Sequence, residues 1–210
     1  MKKLVIVGAS GHGKVVADIA CNLGYTDIIF LDDNAEVKKC GEFKVAGRCD
    51  EACKYSSADF IIAIGNARIR QKLQYEFTKL GLHITSLIHP AATVASNVKI
   101  GMGTVVMAGA VINPHVDIGQ GCIINTCASV DHDCTIGDFA HISVGAHLAG
   151  TVTVGRASWI GAGATVSNNI EIASDCVIGA GGVVVKNITE IGTYVGVPVC
   201  NIKDRHHNGS

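Results

Sequence analysis

A single imidazole flanked by two carboxylates, Asp131-His132-Asp133, is the first place in this chain where residue types and spacing suggest chemistry. A carboxylate hydrogen-bonded to one ring nitrogen fixes the tautomer and raises the basicity of the other nitrogen. An unperturbed imidazole titrates near ~6.5, which suits a general base at neutral pH. A lone histidine beside a turn is otherwise a structural residue, and the flanking acids separate the two readings. The second such place is Gly8-Ala9-Ser10-Gly11-His12-Gly13, a glycine-rich run after an apolar segment. Backbone amides at a turn that opens a helix attract phosphate. The spacing is GxxGxG and not the dinucleotide fingerprint GxGxxG, so NAD is disfavoured, although Asp32 follows Gly8 by 24 residues. Such a run can equally be only a turn, and Asp32-Asp33 can be only the end of a strand.

The elements that must position these residues follow two different rules. Residues 3–90 alternate between strands and helices. The pattern predicts strands over 4–7, 27–31, 60–64 and 84–88, and helices over 14–23 and 67–80, the second stopped at Gly81. Strands alternating with helices imply a parallel, Rossmann-like sheet. Residues 33–58 fit neither element well, and His89-Pro90 marks a boundary.

From Val94 the period becomes six. Every sixth residue, starting Val94, Ile100, Val106, Ile112 and Ile118, is aliphatic without a change of phase as far as Val184. Neither the helical nor the strand period produces this, and internal repetition outranks local propensity. The physical reading is a left-handed β-helix over 91–202. Each six-residue unit makes one side of a triangular coil and sends one aliphatic side chain to the axis. Residues 18 apart then stack, one strand spacing (~4.8 Å) from layer to layer. The fourth residue after each aliphatic is often small, as at Ala110, Cys122 and Ala128. The first is rich in Gly, Asn and Asp, which tolerate the left-handed backbone that corners need. After Val184 the phase slips, with Ile191 falling one residue late, and 203–210 reads as a frayed tail.

Register adds two relations. Gly150 lies 18 residues after His132 and therefore stacks above it, either as another corner residue or as an amide donor to a developing oxyanion. His141 lies nine residues from His132, half a turn, so the two occupy different faces and can share a site only across a subunit boundary.

Composition removes other classes. The formal net charge of −1 supplies no field for nucleic acid or an anionic membrane. The apolar start is broken at Gly8, too early for a signal segment or a membrane span. Nine cysteines, an odd number with no CxxC, imply reduced thiols and a cytoplasmic location, with no metal site. Most of the cysteines in the repeat region read as small core residues.

The phased pattern resembles the hexapeptide-repeat acyltransferases. With the opening VGASGHG, FLDD at 30–33, IAIGN at 62–66 and the block NTCASVDHDCTIGDFAHISVGAHLAG at 125–150, it resembles the subgroup that N-acetylates amino sugars carried on nucleotides. That subgroup includes the UDP-4-amino-sugar N-acetyltransferases of bacillosamine synthesis and is related to sialic-acid O-acetyltransferases. The resemblance covers about 3–200 and implies a homotrimer with sites between subunits. It also implies acetyl-CoA as co-substrate and a nucleotide-linked, UDP-type amino sugar as acceptor. It implies His132 as the general base, Asp133 as enhancer of its basicity, and His141, Ala162 and Ala180 as acetyl-CoA contacts. It assigns Ser10, Gly11 and His12 to the nucleotide sugar, Asp32 and Asp33 to its base end, and Gly65 to a further contact. The family more often has Glu where this chain has Asp133, and the shorter arm changes the hydrogen-bond geometry. Without the resemblance, both alanines read as packing.

Three competitors remain at this stage. One is O-acetylation of a sialic-acid-type sugar, and another is a non-catalytic scaffold that binds nucleotide sugars. The third is γ-class carbonic anhydrase chemistry on the same β-helix, with zinc between subunits. That class pairs its histidines as H-x4-H, whereas His141 and His147 are H-x5-H.

Overall fold

The computed structural model describes residues 2–203 and divides into two compact units. One holds the residues up to Pro90 together with Met102–Val105; the other holds Ala91–Gly101 and the residues from Val106 on. Of the tail expected over 203–210, His206 and His207 lie outside the described residues.

The first unit is a Rossmann-like α/β layer. Strand β1 (Lys3–Val7) lies between β2 (Asp27–Leu31) and β5 (Asp59–Ile62), parallel to both. Leu4, Val5, Ile6 and Val7 are each 0% exposed, as expected of a strand covered on both faces. The strand expected over 60–64 ends two residues earlier, and 63–65 is irregular, with a bend at Gly65. The indistinct stretch 33–58 holds the hairpin of β3 (Lys39–Cys40) and β4 (Phe43–Gly47), then a 3-10 helix over Cys49–Tyr55. Strand β6 (His83–Ile84) closes the order β3-β4-β2-β1-β5-β6, and β7 (Leu87–Ile88) is separate from it, so the strand expected over 84–88 is two. Helix α2 spans Ala67–Lys79.

Helix α1 (Gly11–Asn22) starts three residues before its expected position. Extended Ser10 is its N-cap, and the Ser10 carbonyl accepts from the Lys14 amide at 3.0 Å. Gly11 and Gly13 of the glycine-rich run thus lie in the first helical turn, and Gly8 precedes it. Gly13 is there because a Cβ would overlap the Gly8 carbonyl oxygen.

The second unit is a left-handed β-helix of three parallel faces. The first face carries Ile123–Ile124, His141–Ile142, Trp159–Ile160 and Val177–Ile178. The second carries Val111–Ile112, Ser129–Val130, His147–Leu148 and Thr165–Val166. The third carries Asp117–Ile118, Thr135–Ile136, Thr153–Val154 and Glu171–Ile172. Each of these pairings joins residues 18 apart. Val106 and each later member of the six-residue series as far as Val184 is at most 2% exposed. Val94 and Ile100, the first two members of the series, are half-buried. Cys122, Cys134 and Cys176 are buried among the small residues, while Cys127 is exposed at a corner.

Two details depart from expectation. The left-handed residue of each corner is the third after the aliphatic, not the first: Asp133 (φ 59), Thr151 (φ 60) and Asn169 (φ 59) are examples. The first position favours glycine for a different reason. A Cβ on Gly137 would sit 2.6 Å from the Arg156 amide of the layer above, so the constraint is close approach of coils.

The second departure is at the exit. Ile188, not Ile191, takes the next inward place: it bridges to Ile172 and is 5% exposed, whereas Ile191 is 60% exposed. The coil shortens by two residues there. Ile188→Ala is therefore expected to lower unfolding free energy by about 2–5 kcal/mol in denaturant melts. Ile191→Ala is expected to change it by less than about 0.5 kcal/mol.

Candidate functional site

The corner between the second and third faces builds the His132 site. Strand Ser129–Val130 ends there, and left-handed Asp133 turns its side chain back on the preceding residue. The Asp133 carboxylate (Oδ2) meets His132 Nδ1 at 2.8 Å, so the shorter Asp arm reaches its partner. This contact puts the neutral ring's proton on Nδ1 and leaves Nε2 as the acceptor. Asp131 acts on the backbone: its Oδ1 accepts from the His132 amide at 2.8 Å and from Asn113 Nδ2, one layer below, at 2.8 Å. The Asp131 carboxyl sits below its ordinary range, first because of the His132 amide and then because of Asn113. The His132 pKa is raised above its ordinary value, first by the Asp133 hydrogen bond, with both carboxylates adding charge attraction. Asp133 stabilises the protonated ring, so Asp133→Asn is expected to move the His132 titration to lower pH, measured on its ring protons by NMR. An unmoved titration would mean that the pair does not form in solution.

Gly150 lies one layer above, and a Cβ there would stand 2.5 Å from both Cε1 and Nε2 of His132. The left-handed residue of that corner is Thr151, whose amide donates to the His132 carbonyl at 2.9 Å. Gly150 therefore makes room for the ring. Its buried N–H donates to none of the described residues.

His141 stands on the first face, apart from the His132 corner. Its ring stacks on Trp159, one layer above, with centroids 5.6 Å apart and planes at 5°. Asn125 Nδ2 lies 3.1 Å from His141 Nε2. Ala162 and Ala180 follow successive strands of the same face by two residues, and the Gly181 amide donates to the Ala162 carbonyl at 2.8 Å. Both alanines are exposed, so neither packs in the core. Sequence reasoning missed Asn113, Asn125 and Trp159. The 18-residue register that linked Gly150 to His132 also links Asn113 to Asp131 and Trp159 to His141.

In the first unit, the loops after the carboxyl ends of three adjacent parallel strands come together. These hold Ser10, Gly11 and His12 after β1, Asp32 and Asp33 after β2, and Gly65 after β5. The chain runs from β1 to β2 on one side and places β5 on the other, the reversal at which open α/β sheets bind ligands. Gly8 is left-handed (φ 107), and a Cβ on it would lie 2.9 Å from the Ala63 carbonyl oxygen. Asp32 accepts from the Ala9 amide at 2.7 Å and from the Asn34 amide at 2.8 Å, latching β2 to the glycine-rich loop. Asp33 accepts from the Cys49 amide at 3.0 Å at the start of the 3-10 helix.

His12 is the unusual group. Its Nε2 is buried with no hydrogen-bond partner among the described residues. Burial, and next the Arg70 charge, push its pKa down to about 4, so the ring is neutral at physiological pH. Arg70 is 1% exposed and donates from Nη1 to the carbonyls of Ile64 (2.7 Å) and Gly65 (2.9 Å), bracing the loop after β5.

His115 contacts Asn97 (2.9 Å) and His147 contacts Ser129 (2.8 Å). Among the described residues, no group of three or more His, Cys, Asp or Glu is arranged to hold a metal ion. Among them, no helix is long and apolar enough to cross a membrane.

This chain belongs to the hexapeptide-repeat family of nucleotide-amino-sugar N-acetyltransferases. Its residues 3–77 match the PglD N-terminal domain. It is similar to the acetyltransferase domain of PglB from Neisseria gonorrhoeae FA1090, solved in complex with acetyl coenzyme A. That likeness has 41% identity and a TM-score of 0.92, over 96% of this chain and 99% of that one. PerB from Caulobacter crescentus, solved with CoA and GDP-perosamine, is 37% identical with a TM-score of 0.89, over 96% of this chain and 97% of that one. A stretch of 116 residues is 36% identical to the UDP-N-acetylbacillosamine N-acetyltransferase of Bacillus subtilis (strain 168). The chain spans about half the length of that curated relative (52%).

Proposed function

We propose that this protein transfers the acetyl group of acetyl-CoA to the amine of a nucleotide-linked amino sugar, with His132 as general base. The observation that carries the reading is the His132 corner: Asp133 holds Nδ1, and Nε2 stands beside Gly150, whose backbone N–H donates to none of the described residues. In this reading Nε2 takes a proton from the sugar amine as its nitrogen attacks the thioester carbonyl. The Gly150 N–H donates to the tetrahedral oxyanion. The carbon–sulfur bond then breaks, and CoA leaves as thiolate to receive the proton from His132. No covalent enzyme intermediate is required, because the amine is itself a good nucleophile.

Ser10, Gly11 and His12 bind the nucleotide sugar in this account, with Asp32 and Asp33 toward its base and Gly65 as a further contact. We take the carrier as UDP, after the name of the curated relative; PerB was solved with a GDP sugar. His141, Ala162 and Ala180 contact acetyl-CoA. Since His132 and His141 sit on different faces, the complete site belongs to a homotrimer, with His141 supplied across a subunit boundary. The nine free cysteines support a reducing, cytoplasmic setting for this reaction.

The test is release of CoA thiol with acetyl-CoA and a panel of UDP- and GDP-linked amino sugars. The expected result is turnover with at least one amino sugar, giving an acetylated product that survives hydroxylamine. A product cleaved by hydroxylamine would be an ester and would point to O-acetylation. Silence across the panel, together with tight nucleotide binding, would leave a binding scaffold and overturn the proposal. Full activity in a monomer would overturn the shared site.

A further inference from the structure

Trp159 is the only tryptophan in the sequence, and it sits at an outward position of the first face with half its surface exposed. Large aromatics on a β-helix face have no core to fill, so the question is what holds this one and what it holds. Its indole N–H donates to Ser143 Oγ at 2.5 Å, and Ser143 is itself only 5% exposed. One face of the indole lies parallel to His141. Asn125 reaches the same imidazole from the layer below. The His141 ring is therefore fixed from two directions, by a hydrogen bond at its edge and a stacked plane over its face. Three residues after Trp159, across the corner and in the same layer, Ala162 begins the exposed alanine column that Ala180 continues.

We propose that Trp159 is a positioning residue for acetyl-CoA: it locks the His141 ring plane, and its exposed part forms the apolar wall along which the pantetheine arm runs toward Ala162 and Ala180. The inference rests on the reading that His141 contacts acetyl-CoA. Physically, a rigid indole with two rotatable bonds gives up little side-chain entropy when a ligand is laid against it. A ring held before binding does not have to be ordered by the ligand.

The single tryptophan makes the test direct, because all tryptophan emission comes from this position. Titration of the intact protein with CoA is expected to change that emission saturably, with a midpoint near the KM for acetyl-CoA. Titration with the nucleotide sugar alone is expected to leave it unchanged. Trp159→Leu should raise KM for acetyl-CoA about tenfold, the scale of one lost aromatic contact. It should leave KM for the nucleotide sugar and kcat within about threefold, since the indole supplies no group to the reacting atoms. Trp159→Phe, which keeps a ring over His141 but has no N–H, should recover most of the loss.

An unchanged KM for acetyl-CoA in a folded Trp159→Leu protein would overturn the proposal while leaving the acetyltransferase reading intact. Emission indifferent to saturating CoA in a wild-type protein that turns over acetyl-CoA would do the same, and it decides the matter if the leucine variant does not fold. No turnover of any acceptor by wild-type protein would instead remove the functional reading on which the proposal stands.

Discussion

Replacing His132 by alanine is expected to lower kcat by about 10²–10⁴-fold, the usual contribution of a positioned general base. That range corresponds to about 2.7–5.4 kcal/mol of transition-state stabilisation. KM for both substrates should change little, because a residue in the proposed role acts on a proton in transit and holds neither substrate in the ground state. Residual turnover should remain, since proximity and the Gly150 amide do not depend on the imidazole. The pH dependence supplies a second reading. In the proposed reaction the active form is neutral His132, so kcat/KM is expected to fall as pH drops through the pKa of the free enzyme. Asp133 and Asp131 raise that pKa above the ordinary histidine value. The acid limb of the wild-type profile should therefore lie above pH ~6.5, the unperturbed value, and should disappear in His132→Ala. Near-normal kcat in a folded His132→Ala protein would sink the general-base assignment.

The axis of the β-helix was legible because one rule governs it: each six-residue side buries one aliphatic. Register was legible too, since a fixed 18-residue turn places Gly150 over His132 from the sequence alone. The departures share a cause: residue type alone does not report the neighbour in space. Glycine at the first corner position signals close approach of two coils, yet by composition alone it looks like the left-handed residue. That residue lies two positions later, where Asp133, Thr151 and Asn169 carry the conformation with ordinary side chains. At the exit, Ile191 continues the aliphatic count almost in phase. Ile188 is the one that bridges to Ile172, and only the path of the backbone distinguishes them.

The same limit applied at the sites. The Asp-His-Asp triplet is local and was visible in the sequence. The Asn113–Asp131 hydrogen bond and the His141–Trp159 stack join residues 18 apart, which the repeat makes predictable once each polar residue is asked for its partner in the next layer. His12 was legible as a member of a glycine-rich run. Its neutrality was not, because that depends on burial and on Arg70, which reaches it from a separate helix.

Gly150→Ala separates the two roles open to that residue. The added Cβ would stand 2.5 Å from Cε1 and Nε2 of His132, nearer than side chains pack. The atoms in its way are the far end of an exposed side chain, so the ring can swing aside and the fold need not change. The backbone at Gly150 is not left-handed, so alanine meets no conformational penalty there. The thermal midpoint is therefore expected to move by only a few degrees, because what must shift is an exposed ring. Activity should respond far more. A base displaced by about 1 Å costs on the order of 10²-fold in kcat. Alanine keeps the backbone N–H, so an oxyanion donor at this position would survive the substitution. The loss would then report the position of His132 and not the amide. A displaced ring also leaves Asp133, so the His132 titration should fall toward the ordinary value, which NMR would read independently of turnover. Wild-type kcat with an unmoved titration would show that the ring does not need the space Gly150 leaves.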